Sequence, residues 1–327
     1  MAVLKISNRA FNGNIDCFQN LADISDFFSF DDVSVLDLGG LVELNPFNML
    51  VLALSIRKWK RFWGKLSYIL PNSDNTDGYM QYMGFYELCG FSNRGIIKGN
   101  RRVGKYICIT KIDLIPQGSM DADYEMIDQE SKKLADMFQF DKELGKYITY
   151  CFFEMIRNVY EHSESKSVYV CAQFWPSHNL VELAIADEGC GIWKAMQKQY
   201  ANITEEQSME FAMTPGISAR TNHILLPKDD YYKNSGYGLY MTKELALAYG
   251  GSFIICSGKS AIRYSFKSED KFQTDFSGTA ISIRFKTDRD NNFSDVLTKI
   301  KSKAEKKSRK YEDAIHTASK SSGGSRK

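Results

Sequence analysis

The sequence predicts an α+β fold in two unequal units: a small α/β module over residues 1–118, then a two-layer α/β sandwich over 119–288, with a basic tail at 289–327. Three observations carry this reading. Short apolar runs alternate with helical patterns before residue 118; two consecutive amphipathic segments precede a block of strands after it; and the end of the chain loses its apolar periodicity and fills with lysine.

In the first unit, "DDVSVLDLGG" (31–40) reads as a buried strand closed by two glycines. "NPFNMLVLALSIRKWKR" (45–61) reads as a helix, with Pro46 in its first turn and basic residues at its end, where the helix dipole favours them. "KLSYIL" (65–70) is a second strand, "PNSDNTDG" a turn-rich loop, "YMQYMGFYELCGF" a short amphipathic helix and "KYICITKIDLI" (105–115) a further strand.

In the second unit, "DADYEMIDQESKKLADMFQF" and "DKELGKYITYCFFEMIRNVYEHS" are consecutive helices. Strands "SVYVCAQFW" and "LVELAIADEG" follow, split by the turn "PSHN". Residues 213–235 have little regular pattern, and loops of that length are unusual unless functional. The helix "GLYMTKELALAYGG" ends at a glycine pair, and "SFIICSG", "AIRYSFK" and "GTAISIRF" complete the set as three strands. Helices are expected on one face of this sheet. The regular βαβ alternation of a dinucleotide-binding fold is missing, and the tail "KIKSKAEKKSRK…" reads as a charged helical stub followed by flexible chain.

Composition narrows the function. The formal net charge of the 327 residues is only +2, so the body offers no general electrostatic case for nucleic acid; only the tail does. Seven scattered cysteines without a CxxC pair favour buried thiols in a reducing compartment over disulfides or zinc. With no signal-peptide pattern at the start and no apolar run long enough to span a bilayer, a cytoplasmic protein without membrane contact is expected.

The chemistry gathers in "EMIRNVYEHS" (154–163), where Glu154, Asn158 and His162 stand four residues apart and share one helix face. Three further motifs follow in order: "ADEGCGI" with Asp187, Gly189 and Gly191 after a strand; "NSGYGLY" with Gly236 and Gly238 before a helix; and "SGTAISI" with Thr279 opening a late strand. Each alone has a structural explanation as a turn, a helix entry or a strand start. Together they suit a nucleotide. An amide oxygen such as that of Asn158 is a hard ligand for Mg²⁺ beside phosphate oxygens. Asp187 at a strand end can accept a hydrogen bond from an exocyclic amine, glycines allow close backbone approach, and a helix N-terminus suits phosphate. Glu154, one turn before Asn158, can orient and deprotonate a water or hydroxyl.

In these motifs, residues 120–288 resemble the GHKL superfamily, the Bergerat ATP-binding fold of gyrase B, heat-shock chaperones, MutL-type repair proteins and histidine kinases. "EMIRNVYEHS" matches the N-box, "DEGCG" the first glycine box, "GYGL" the second and "GT" the late adenine-pocket threonine. The resemblance implies that Asn158 coordinates Mg²⁺, that Asp187 reads adenine with Gly189, Gly191 and Thr279 around it, that Gly236, Tyr237, Gly238 and Leu239 hold phosphates, and that 213–235 is an ATP lid. Arg220 or Lys228 could reach phosphate, although solvated loop charges explain them as well; His162 has a packing or phosphate-side role, and His178, His223 and His316 lack metal-ligand spacing. The first unit resembles a STAS domain, but "NPFN" stands where phosphorylatable relatives carry a serine at the helix start.

The resemblance implies a magnesium-dependent ATPase, with Glu154 catalytic, that works as a regulatory conformational switch on another protein or a second copy of itself. A serine/threonine kinase of the anti-sigma-factor type and a non-hydrolysing nucleotide-binding adaptor, docking through its basic tail, are the alternatives.

Overall fold

The backbone of the five-stranded sheet explains most of the chain's apolar pattern. In a computed structural model, residues 2–7, 33–42, 44–91, 104–219, 236–289, 292–311 and 314–318 are described. Strands β1 (Ala2–Ser7), β2 (Val33–Gly40) and β3 (Ser67–Ile69) pair in parallel in the order β1-β2-β3. The second sheet contains β4 (Tyr106–Asp113), β5 (Ser167–Trp175), β6 (Leu180–Asp187), β7 (Ser252–Tyr264) and β8 (Glu269–Lys286) in the order β4-β5-β6-β8-β7. All its neighbours are antiparallel. The architecture is therefore α+β, as expected, with two sheets. β4, which precedes the expected boundary at residue 118, hydrogen-bonds to β5 and so extends the second sheet.

Helix α1 (Pro46–Trp63) connects β2 to β3. The Asn45 side chain caps it by accepting from Asn48 N, and Lys60 and Arg61 close its last turn. Ser73 caps α2 (Asp74–Met83), so "PNSDNTDG" is only partly a loop: its Asp74 and Asp77 form the acidic first turn of a helix. The residues that favour turns also favour N-caps, which is why the sequence pattern misled. α2 stops at Gly84 in a left-handed conformation, and α3 (Phe85–Leu88) follows, splitting the expected single helix.

α4 (Met120–Asp136), α5 (Lys142–His162) and α8 (Gly238–Ala248) lie against one face of the five-stranded sheet. Val168, Val170, Val181, Leu183 and Ile185 point into this layer. Helices were expected on one face of the sheet; the opposite face is covered as well, by α1. There the alternate residues Cys171, Ala184, Ala186, Cys256 and Ala280 share a core with Leu36 and Leu38 of β2 and Leu50 and Leu54 of α1. Small side chains on that face let the helix approach the sheet. Strands buried on both faces read as continuous apolar runs, as β5 and β6 do. One carboxylate is sealed into this interface. Glu182, fully buried, accepts from Arg284 Nε at 2.9 Å, Ser282 Oγ at 3.1 Å and the backbone N–H of Phe47 at the start of α1 at 3.3 Å.

Three further sequence readings need correction. "SFIICSG" and "AIRYSFK" are one strand, β7, whose pairing with β8 shifts register around Gly258; that glycine marks a bulge, not a strand end. Two helices, α6 (Gly191–Gln197) and α7 (Glu205–Ala212), fill chain that had suggested no element. The tail begins with the helix expected there, but that helix packs on the body. α9 (Phe293–Ser308) buries Phe293, Leu297, Ile300 and Ala304 in the helical layer with α5 and α8, and Ile315 N donates to Gly216 O at 2.8 Å. Residues 319–327 lie outside the described chain.

Among the described residues, no helix is long and apolar enough to cross a membrane, and the cysteines form no disulfide.

Candidate functional site

The polar stripe of α5 opens into a cleft. Asp141 caps α5 by accepting from Glu143 N and Leu144 N, and the helix runs far enough to carry Glu154, Asn158 and His162 along one wall. The cleft spans about 870 Å³, a figure that includes the solvent in its open mouth. Ile185, Ile192, Met196, Ile217 and Ile281 make it largely apolar. Groups from all four sequence motifs line it: Glu154 and Asn158 from α5, Asp187 from the end of β6, Gly236 and Gly238 from the entry to α8, and Thr279 from β8. Gly191, Leu239 and His162 complete the sequence-expected lining.

Two expected residues stand elsewhere. The Tyr237 ring is fully buried away from the cleft, and its hydroxyl bonds Ser308 Oγ at 2.9 Å and Ile315 O at 2.8 Å, tying the α8 entry to the C-terminal segment. Gly189 does not line the cleft either. A methyl group on it would collide with Ser163 O, so its missing Cβ lets the β6–α6 turn pack on the end of α5, where Cys190 N donates to Ser163 O at 2.7 Å. Gly238 faces Glu154 Oε2, and a methyl there would overlap the carboxylate. Most of the expected lid, with Arg220, His223 and Lys228, lies outside the described residues; Ile217, Ser218 and Ala219 border the cleft.

The first polar cluster surrounds Glu154. This side chain is 2% exposed and has Arg157 Nη1 at 3.9 Å. Arg157, equally buried, bonds Glu161 Oε1 through Nε at 2.9 Å and lies over the Tyr124 ring, whose hydroxyl also reaches Glu161. Burial alone would lower the Arg157 pKa, but Glu161 and then Glu154 outweigh it and hold the guanidinium charged. Asn158 Nδ2 is buried without a hydrogen-bond partner in the protein. The first turn of α8 has no side-chain cap, so its N–H groups and positive dipole end stand close to these residues.

The second cluster surrounds Asp187, which is 1% exposed. Burial pushes its carboxyl up to about 7, against backbone N–H bonds from Gly189, at 2.7 Å, and Thr279. Sequence reasoning missed Ser257. Its hydroxyl accepts from Ile192 N at 2.9 Å and donates to Gly278 O at 2.7 Å, joining the first turn of α6 to β8 at the residue before Thr279. Nothing local in "IICSG" signals that role. Arg157 and Glu161 were also passed over, although their spacing from Glu154 places them on neighbouring helix faces.

Among the described residues, no group of three or more His, Cys, Asp or Glu is arranged to hold a metal ion. A divalent cation here would take protein ligands from the α5 stripe, Asn158 first, and its remaining oxygens from substrate and water. No family model matches the chain, and no curated protein matches it.

Proposed function

We propose that the chain binds magnesium-ATP in this cleft in the manner of the GHKL superfamily, hydrolyses it slowly and uses the cycle as a regulatory switch. The observation that carries the reading is the convergence of Glu154, Asn158, Asp187, Gly238 and Thr279, from four ordered motifs, on one cleft. The apolar walls suit a purine, with Asp187 accepting from its exocyclic amine while two backbone N–H groups hold the carboxylate in place. The uncapped start of α8 suits phosphates.

Asn158 fits a magnesium site through its Oδ1, a hard oxygen ligand on the cleft wall, while its buried, unpartnered Nδ2 is a donor suited to a phosphate oxygen. When bound, the cation would neutralise phosphate charge. Glu154 lies one turn away, is shielded from solvent and has a cation at 3.9 Å, which keeps a carboxylate oriented to accept a proton from an attacking water.

The β2–α1–β3 unit suits a STAS-like module in a cytoplasmic regulator that acts on another protein or a second copy. Its helix start offers no phosphorylation switch: Asn45 is the cap and Pro46 the first helical residue. Titration calorimetry with a non-cleavable ATP analogue, with and without magnesium, tests the reading; magnesium-independent or absent binding sinks it. γ-Labelled ATP then separates the activities: free phosphate marks the switch, labelled protein a kinase, and intact ATP an adaptor.

A further inference from the structure

The cleft has a rear wall, and α1 stands behind it. Asp187 and Glu188 are consecutive at the end of β6, and their side chains leave on opposite faces of the sheet. Asp187 lines the cleft. Glu188 meets α1, where Arg61 Nη2 reaches its Oε1 at 2.8 Å and Arg57 Nη2 its Oε2 at 3.3 Å. The same oxygen accepts from the Tyr169 hydroxyl at 3.4 Å, and the Arg57 guanidinium lies over the Tyr169 ring. Arg57 also donates to Leu88 O at 3.4 Å, so this contact joins the end of α3 to the strand end that carries Asp187. A third cation of α1, Lys58, reaches Asp275 Oδ2 at 3.8 Å on β8, a few residues before Gly278 and Thr279. The end of β6 and the stretch of β8 that frame the second polar cluster are thus both held from behind by one turn of one helix.

We infer that Arg57 and Arg61 are positioning residues for the base end of the cleft, and that through them the N-terminal unit sets how tightly the site holds its ligand. This rests on the adenine-nucleotide reading of the site. The physical reason is local. A single peptide bond joins Glu188 to Gly189, whose backbone N–H bonds Asp187 Oδ1 at 2.7 Å. Releasing Glu188 frees the turn that aims Asp187, and leaves an uncompensated negative charge beside a carboxylate that already resists ionisation. The Glu188 side chain is 21% exposed and that of Arg57 29%, so the contact is partly shielded from solvent screening; that of Arg61, at 60%, contributes less. Binding to the N-terminal unit that draws α1 away would act on the cleft through this route, with no change in the residues that touch the ligand.

The test compares wild-type protein, Arg57→Gln/Arg61→Gln and Arg57→Lys/Arg61→Lys for calorimetric binding of adenosine and of a non-cleavable magnesium-ATP analogue. The double glutamine variant is expected to lose affinity for both ligands by the same factor, about fivefold or more, while the lysine variant recovers most of it. Adding Glu188→Gln to the glutamine pair should then cost little more, since the contact is already gone. Equal affinity in wild type and glutamine variant overturns the inference and leaves the function reading standing. So does a loss confined to the ATP analogue, which would place the effect at the phosphate end. Wild-type protein that binds neither ligand overturns both. A circular-dichroism melt of each variant guards the comparison: if the glutamine pair melts far below wild type, Glu188→Gln alone supplies the same affinity comparison, and its failure to weaken adenosine overturns the inference.

Discussion

Gly238 and Glu154 lie in direct contact across the junction of α8 and α5, close enough that a single methyl group on the glycine would overlap the carboxylate. Arg157 holds the other side of Glu154, and the side chain is almost fully buried, so it has little room to yield. Gly238→Ala should therefore displace the carboxylate or push α8 outward, at a cost of about 1–3 kcal/mol in stability. Turnover should fall more than nucleotide affinity. Chemical denaturation and phosphate release measured on one preparation check both parts, and an active variant of wild-type stability would contradict this packing.

Glu154→Gln keeps the volume of the side chain and removes its basicity. Affinity for the non-cleavable analogue should stay within about threefold, while phosphate release drops by about a hundredfold or more, the usual range for loss of a general base. A variant that loses binding instead would move Glu154 from chemistry to ligand contact.

Asp187 makes the apo protein sensitive to pH. Its folded pKa of about 7 lies above its ordinary value of 3.8 because burial disfavours the charged form. The folded state thus holds the proton more tightly than the unfolded chain. The stability this contributes is complete below about pH 4 and is lost as pH rises through 7. Asp187→Asn should flatten that slope, so that the difference in melting temperature between pH 5 and pH 8 shrinks. Adenosine binding should run the other way in wild type, weakening as pH falls below 7, because the ionised carboxylate is the better acceptor. A wild-type adenosine affinity that is constant from pH 8 to pH 6 would refute the assignment.

Truncation after Asp288 removes a packed helix. Phe293, Leu297 and Ile300 are each worth about 1.5–3 kcal/mol of burial, and loss of Ile315 also removes the hydrogen bond that Gly216 O accepts, beside the wall residue Ile217. The truncated chain should melt at a clearly lower temperature and bind nucleotide more weakly. Unchanged melting would mean that α9 contributes nothing to the core.

Much of the candidate site was legible because its signals are local. Glu154, Asn158 and His162 share a face through helical periodicity alone, and Asp187, Gly191 and Gly238 are marked by turn and helix-entry motifs; Thr279 lines the cleft as expected, but it sits inside β8 and does not open a strand, because β8 begins at Glu269. Tyr237 shows the limit of that logic: it belongs to a recognisable motif, but its ring turns into the core to meet Ser308 and Ile315, some seventy residues later in the chain. Ser257 and the Arg57–Glu188 contact had no local mark at all.

The same division runs through the fold. Elements whose patterning repeats within a few residues, such as α5, β5 and β6, could be read from the chain because backbone geometry imposes their periods. That α1 would roof the second face of the large sheet, that β7 would continue through Gly258, and that a lysine-rich tail would pack as α9 depended on surfaces well separated along the chain meeting in space. Such encounters are decided by shape, burial and the pairing of charges like that of Glu182, and only the folded chain brings those together.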